Sequence, residues 1–160
     1  MKDYTGTDYL VYENPALTEG WVKAVFIAII ALTLIPALFL ISVDLTGAWI
    51  MFGLTVFDAA LFYYIFPRKY QIYTNRVVIV LGGPFRIKLP LSSIEGVRRS
   101  ENSSLNYDCL KFASSNKNIV EIKRRKRLRV IISPVDAEAF VEQLNRALGE
   151  YAHAGQLVKG

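Results

Sequence analysis

The sequence predicts a membrane-anchored α+β protein: a two-helix transmembrane hairpin, then a seven-stranded antiparallel barrel or sandwich capped by one C-terminal helix. Three observations support this fold class. Two apolar runs of about 20 residues each are long enough to cross a hydrocarbon core of roughly 30 Å. After residue 67 the apolar residues recur with a period of two, which is the period of strands. The last apolar stripe has helical spacing.

The predicted transmembrane hairpin occupies residues 24–66. Its first run, 24–43, contains no charged residue, and its second run, 48–66, contains one charged residue, Asp58. Residues 44–47 leave room only for a tight turn, so the second helix returns beside the first. Backbone that is exposed to lipid must form its own hydrogen bonds, which favours helices. The alternative is a pair of buried helices in a soluble core, but one small domain can hardly cover both on all sides.

The flanks of the hairpin predict its orientation. The turn has one Asp and no Lys or Arg, whereas Lys23 precedes the first run and Arg68 and Lys69 follow the second. The positive-inside rule therefore places both chain ends in the cytoplasm. Trp21 and the three basic residues suit the headgroup level as interface anchors. We expect no cleavable signal peptide, because the first run ends without a small-residue cleavage site.

Asp58 lies near the middle of the second run, where an ionised carboxylate is costly. Reflection through the centre of the predicted turn places Thr33 at the same depth, and Thr55 lies one helical turn before Asp58. Two interpretations stay open. Either a protonated Asp58 bonds with the two threonines and fastens the hairpin, or it faces another membrane subunit, or a cofactor or ion carried by that subunit.

The predicted soluble domain, residues 67–150, is strongly basic. From residue 67 onward, 17 Lys and Arg stand against 8 Asp and Glu. Short alternating runs separated by turn residues indicate an antiparallel barrel or sandwich. The seven predicted strands are Lys69–Thr74, Val77–Leu81, Phe85–Leu89, Ile94–Arg99, Asp108–Ala113, Ile119–Lys123 and Leu128–Ile132.

One predicted helix closes this domain. Ser133 suits the N-cap, Pro134 suits the first helical position, and Gly149 offers a stop. Residues 151–160 are expected to form a flexible tail. The apolar stripe that needs a covering surface consists of Ala137, Phe140, Val141, Leu144 and Leu148.

Residues 1–23 form a predicted N-terminal cytoplasmic arm. The segment Tyr9–Tyr12 suits a short extended piece, and Asn14-Pro15 breaks any helix there. The arm either lies along the soluble domain or a neighbouring subunit, or is a frayed terminus.

Seven strands followed by one amphipathic helix is the layout of pleckstrin-homology (PH) domains. The runs YQIYTNRVVIVLGG, IKLPLSSIEGV and ISPVDAEAFVEQL resemble bacterial PH domains, and YLVYENPAL resembles the segment that enters the hairpin of such proteins. The resemblance implies a PH-like barrel and a bacterial inner-membrane location. It also implies a membrane-anchored accessory or assembly protein, in some cases tied to photosynthetic complexes. It brings no catalytic residues. The long basic loop that binds inositol phosphates in eukaryotic relatives has no counterpart at Asn75-Arg76.

The densest charge in the sequence falls between the sixth and seventh predicted strands. Three interpretations stay open: contact with an anionic lipid surface, contact with an acidic partner protein, or a solvated edge. Nucleic acid is disfavoured because no stacking aromatic residues interleave the run. The candidate patch consists of Lys123, Arg124, Arg125, Lys126, Arg127 and Arg129, which Arg98 and Arg99 extend if the fold brings them near.

The sequence disfavours an enzyme. His153, the only histidine, lies in the expected tail, and no folded histidine activates Cys109. We expect no cofactor or metal. The expected function is that of a non-catalytic accessory or scaffold subunit, or an assembly factor, of a larger membrane protein complex. The alternative is a self-sufficient module that binds anionic lipid without a protein partner.

Overall fold

The structure, a computed structural model, describes residues 8–100 and 109–157, with side chains as far as residue 154. It divides into two compact units. Thr18–Phe66 is a helical hairpin, and Met1–Leu17 together with Pro67–Gly160 forms a separate domain.

The hairpin consists of α1 (Gly20–Leu40) and α2 (Leu45–Ile65). The helices approach closely at Ala37 and Ala48, which are buried because their side chains are small. Phe26 stacks on Phe62 with ring centroids 4.4 Å apart. Both helices are long and apolar enough to cross a membrane, and only 11% of the most apolar part of each is buried. So little burial disfavours the alternative of two core helices in a soluble protein.

The turn of the hairpin lies about three residues earlier than predicted. The carboxylate of Asp44 accepts a hydrogen bond from the backbone N–H of Thr46 at 3.1 Å, so Asp44 caps α2 and the residues after it form the first turn of that helix. The predicted bounds of 24–43 and 48–66 therefore become 20–40 and 45–65. This shift changes which residues face each other across the hairpin.

The domain contains two four-stranded sheets. The first has the order β1-β2-β3-β4, and the second has the order β5-β7-β8-β6. All pairs are antiparallel except β6 with β8, which are parallel. The strands are β1 (Leu10–Pro15), β2 (Lys69–Tyr73), β3 (Arg76–Val80), β4 (Arg86–Pro90), β5 (Ile94–Ser100), β6 (Cys109–Phe112), β7 (Ile119–Arg124) and β8 (Arg129–Ile132).

The core lies between the two sheets and α3 (Ala137–Leu157). Alternate residues of the strands enter it, as their period of two requires. The predicted helical stripe is confirmed: Ala137, Phe140 and Leu144 are buried, and Val141 and Leu148 pack against them. The core strands contribute Tyr70, Ile72, Val77, Ile79, Leu89, Ile94, Val120, Ile122, Val130 and Ile132.

The prediction of seven strands that are all antiparallel is wrong in two respects. The described residues form eight strands, because part of the N-terminal arm is β1, which pairs with β2 from Pro15↔Lys69 to Leu10↔Tyr73. The parallel β6–β8 pair also breaks the antiparallel pattern, while the described strands form two sheets, as the sandwich alternative expects, and do not close into one barrel. Of the two interpretations of the arm, the structure supports packing along the domain for residues 10–15; residues 1–7 lie outside the described residues.

The C-terminal helix begins later and ends later than expected. Ser133 is buried and lies before α3, while the carboxylate of Asp136 caps the helix by accepting from the N–H of Ala139 at 3.0 Å. At the other end α3 passes through Gly149 to Leu157, so the expected flexible tail is wrong for residues 151–157. One glycine in a helix interior costs only about 1 kcal/mol relative to alanine, which is not enough to end this helix.

Candidate anion-binding site

A groove with a volume of about 970 Å³ lies on the second sheet, where it is formed by β5, β7, β8 and the hairpin loop that joins β7 to β8. We call it the basic groove. Six basic side chains and one carboxylate line it, together with three uncharged residues. The lining residues are Gly96, Val97, Arg98, Glu121, Lys123, Arg124, Lys126, Arg127, Leu128 and Arg129.

Strand alternation builds the floor of the groove. Ile122 enters the core, so its neighbours Glu121 and Lys123 face the other way. The register places Arg98 of β5 opposite Glu121 and Gly96 opposite Lys123. At the tip of the hairpin Lys126 has a φ of 54°, in the left-handed region that few residues other than glycine adopt. A cation therefore occupies a turn position that glycine or asparagine would fill with less strain.

Glu121 holds two arginines in place. Its carboxylate accepts from Nε and Nη2 of Arg98 at 2.8 and 2.7 Å, and from Nη1 of Arg129 at 2.9 Å. Burial alone would raise the pKa of Glu121, but the hydrogen bonds from the two arginines outweigh it and lower that pKa below its usual range. One negative charge is thus shared by two positive charges, and both guanidinium groups are fixed.

The loop side of the groove is not neutralised in this way. Lys123 pairs with Glu95 at 3.1 Å, but the ion pairs among the described residues include neither Arg124, nor Lys126, nor Arg127. Nε of Arg124 is buried without a hydrogen-bond acceptor among those residues. Burial, together with the nearby positive charge of Arg127, lowers the pKa of Arg124. A surface built in this way favours a bound anion.

The family model for the bacterial PH domain matches residues 68–147, from the start of β2 into α3. The chain belongs to the bacterial PH domain family. No curated protein and no solved structure matches it. The matched segment excludes β1 and the hairpin, so the PH domain of this protein gains an additional strand from residues that precede its helical hairpin.

The PH domain brings most of the predicted basic patch together, but not all of it. Arg98 joins the groove, whereas Arg99 alternates to the other side of β5 and pairs with Glu138 of α3. Arg125 is exposed and does not line the groove; its backbone N–H donates to the carbonyl of Ser93 at 2.7 Å. The role of Glu121 in orienting two arginines was not predicted, although the alternation of β7 places Glu121 and Lys123 on one face.

In the hairpin, the structure joins the two threonines and leaves Asp58 out. The hydroxyls of Thr55 and Thr33 lie 3.1 Å apart. Asp58 is half-buried, and no hydrogen bond to it occurs within the part of the chain that the structure describes. The expected pairing of Asp58 with Thr33 depended on a turn centred three residues later than the observed one.

Three of the four predicted interface anchors are exposed, and the fourth pairs within the first sheet. Trp21 is exposed and donates its indole N–H to Glu19 at 2.7 Å, and Lys23 is exposed. Lys69 is the first residue of β2 and pairs with Glu13 of β1 at 3.0 Å, so it contributes to the sheet. Arg68 is exposed. Across residues 8–100 and 109–157, no group of three or more His, Cys, Asp or Glu could hold a metal.

Proposed function

We propose that this protein is a non-catalytic, membrane-anchored accessory protein whose PH domain binds an anionic membrane surface through the basic groove. The observation that carries the proposal is the surplus of positive charge there. Six cations line the groove, and its one carboxylate, Glu121, is already shared by two arginines. Only residues 66–68 separate α2 from β2, so a membrane-inserted α2 would tether the PH domain to the bilayer, where anionic headgroups are the most concentrated anions.

The topology supports a location of both hairpin ends on one side of the membrane. The strand before α1 and the strand after α2 pair directly, with Pro15 opposite Lys69. One folded domain therefore receives both ends of the hairpin. The turn at residues 41–44 lacks Lys and Arg, while basic residues flank the other end of the hairpin. The positive-inside rule then favours the cytoplasmic face of a bacterial inner membrane.

The expected free energy of contact between the groove and an anionic bilayer is a few kcal/mol. Each basic residue near an anionic bilayer contributes about 1 kcal/mol, and the effect fades over a Debye length of about 8 Å at physiological salt. Arg124, Lys126 and Arg127, which lack carboxylate partners among the described residues, would together contribute about 3 kcal/mol. The membrane anchor makes this sufficient, because headgroups are always within reach of the tethered domain.

Emission from a fluorophore at the groove tests the proposal. The exposed Leu128 is replaced by Cys in a Cys109→Ser background and labelled with a polarity-sensitive dye, and the full-length protein is reconstituted in liposomes. We expect emission typical of the headgroup region with 30% anionic lipid, and emission typical of water in neutral liposomes or at 0.5 M salt.

Two variants with equal loss of charge provide the control. Arg124→Gln with Arg127→Gln should abolish the response to anionic lipid. Lys117→Gln with Arg146→Gln, which removes two exposed charges outside the groove lining, should preserve it. Emission that is the same in neutral and anionic liposomes would overturn the proposal.

A second candidate function is that of a subunit or assembly factor of a larger membrane protein complex, photosynthetic or respiratory. Asp58 favours it, because a half-buried carboxyl group inside an apolar span has no bonded neighbour among the described residues. Such groups inside membranes commonly meet a partner. Purification in a mild detergent tests this function: a stoichiometric complex that Asp58→Asn dissolves supports it, and a lone chain in both proteins contradicts it.

A further inference from the structure

Asp58 is the only Asp, Glu, Lys or Arg within the apolar runs 24–43 and 48–66 of the hairpin. We propose that Asp58 binds a cationic side chain, Lys or Arg, of a transmembrane helix that belongs to another protein and packs along the outer face of α2. This inference rests on the second candidate function and deepens it, because it states the chemistry by which the hairpin recognises its partner.

The register of the hairpin leaves Asp58 without a polar residue opposite it. Thr33 of α1 lies beside Thr55 of α2, with their hydroxyls 3.1 Å apart. The two helices are antiparallel, so the residue three positions after Thr55 falls opposite the residue three positions before Thr33. These two residues are Asp58 and Ile30. At this depth, therefore, α1 offers Asp58 only an apolar side chain.

The threonine hydroxyls have no proton left for Asp58. Thr33 donates to the carbonyl of Ile30 at 3.1 Å, and Thr55 donates to the carbonyl of Met51 at 2.9 Å. A hydroxyl group has a single proton, so each is already engaged. Within the part of the chain that the structure describes, Asp58 thus receives neither a hydrogen bond nor a cation. A carboxyl group inside an apolar span is costly without one of these.

The outer side of α2 beside Asp58 can receive a third helix. Asp58 is half-buried and lies at the boundary between the contact with α1 and the exposed surface of the hairpin. Residues three and four positions apart share a face of a helix, and the face beside Asp58 is exposed and apolar. A helix that packs on this face would place a side chain of its own against the carboxyl group. The face consists of Ile50, Leu54, Leu61 and Ile65, which are 39–60% exposed.

Charge complementarity favours a different protein over a second copy of this chain. The runs 24–43 and 48–66 contain no Lys or Arg, so a second copy could offer only another carboxyl group or the engaged threonines. A cation at the same depth offsets the charge that makes either group costly alone. Asp58 lies seven residues before the last residue of α2, about 10 Å along the helix axis. The long side chain of Lys or Arg can reach it from a position nearer the headgroups.

Energy transfer from the tryptophans of the full-length protein to a synthetic helix tests the proposal. The probe is a tryptophan-free transmembrane peptide of Leu and Ala with a dansyl group at one end. It contains one guest residue, Lys, Gln or Leu, near the centre of its span. Trp21 and Trp49, the two tryptophans of the chain, lie near the starts of α1 and α2 and serve as donors. Protein and peptide are reconstituted in neutral liposomes, which excludes a contribution from anionic lipid.

We expect the Lys peptide to bind about tenfold or more tightly than the Leu peptide, the size of effect that one charge-assisted hydrogen bond gives. It should also bind more tightly than the Gln peptide. Asp58→Asn, which keeps the size of the side chain, should remove the preference for Lys. Asp44→Asn is the matched control: it removes the same charge from the turn of the same hairpin, its amide oxygen can still cap α2, and the preference should persist. Should Asp58→Asn fail to fold, the three peptides on the wild-type protein test the same claim.

The outcomes separate this inference from the functions proposed above. Equal affinity for the Lys and Leu peptides, equal affinity for the Lys and Gln peptides, or equal losses in the two variants overturns the cation site. Self-association that requires Asp58 and displaces the Lys peptide also overturns it, in favour of a second copy. In each case a complex in mild detergent that Asp58→Asn dissolves leaves the subunit function standing. Tryptophan emission typical of water in liposomes overturns both, because the hairpin then does not enter the membrane.

Discussion

Asn14 is the residue by which the additional strand β1 holds the PH domain together. It is only 4% exposed. Its side-chain oxygen accepts from the backbone N–H groups of Val135 and Asp136 at 2.9 and 3.3 Å, and its nitrogen donates to the hydroxyl of Tyr12 at 2.9 Å. The strand thereby satisfies backbone donors at the start of the C-terminal helix. We predict that Asn14→Ala destabilises the domain substantially.

The magnitude follows from the donor that loses its acceptor. The N–H of Val135 also donates to the carbonyl of Pro15 at 3.0 Å, so only the N–H of Asp136 loses its acceptor, at a cost of about 1–3 kcal/mol. Val135 and Asp136 are themselves exposed residues, and water can replace part of what is lost. We therefore expect a loss near the lower end of this range, about 1–2 kcal/mol of unfolding free energy.

Native-state hydrogen exchange of the full-length protein in detergent measures this loss through the amides of the core strand β7. Asn145→Ala, at an exposed position on the C-terminal helix, is the matched control and should change the free energy by less than about 0.5 kcal/mol. Asn14→Ala within that same limit would refute a structural role for β1.

Three further predictions concern titration and the hairpin. Burial raises the pKa of Tyr70 to about 12. The contribution of its neutral hydroxyl to the unfolding free energy is complete below pH 10 and falls by about 2–3 kcal/mol as pH rises towards 12. Alkaline unfolding of Tyr70→Phe should lack this slope. Because the arginines lower the pKa of Glu121, the contribution of this carboxylate to the unfolding free energy is complete above its unfolded pKa and is lost as pH falls through the lowered pKa. Acid unfolding of Glu121→Gln should lack that slope, and an unchanged profile would contradict this prediction. Thr55→Val removes the hydrogen bond with Thr33 and should weaken the association of α1 with α2 by about 0.6 kcal/mol, while Asp58→Asn should leave it unchanged. The rate at which a disulfide forms between cysteines introduced into the two helices measures both effects.

Local patterns in the sequence predicted the strands and the face of the C-terminal helix. Alternation depends on which neighbours are apolar, so the segments that became β2, β3 and β7 could be identified without any partner. The stripe through Phe140 and Leu144 was equally local, and both side chains are fully buried. The basic residues from Lys123 to Arg129 were also identified from the sequence, because they are nearly contiguous.

Long-range pairing was not visible in the sequence. Leu10–Pro15 pairs with Lys69–Tyr73 although the whole helical hairpin lies between them in the sequence. Cys109–Phe112 pairs in parallel with Arg129–Ile132. No local pattern of residues indicates either pairing. The groove depends on such pairing, because Arg98 reaches Glu121 only through the β5–β7 register. The turn of the hairpin was misplaced for a different reason: Asp44 was counted as a loop residue, although its side chain caps the second helix.

The central claim is that the basic groove of the hairpin-anchored PH domain contacts anionic lipid. Hydrogen exchange of the full-length protein in nanodiscs, with and without 30% anionic lipid, tests it most directly at the backbone amides of residues 124–128. We predict that anionic lipid slows exchange there and that 0.5 M salt reverses the effect. Exchange at residues 124–128 that is the same in both nanodiscs, with protection by anionic lipid at the β2–β3 turn instead, would contradict the account.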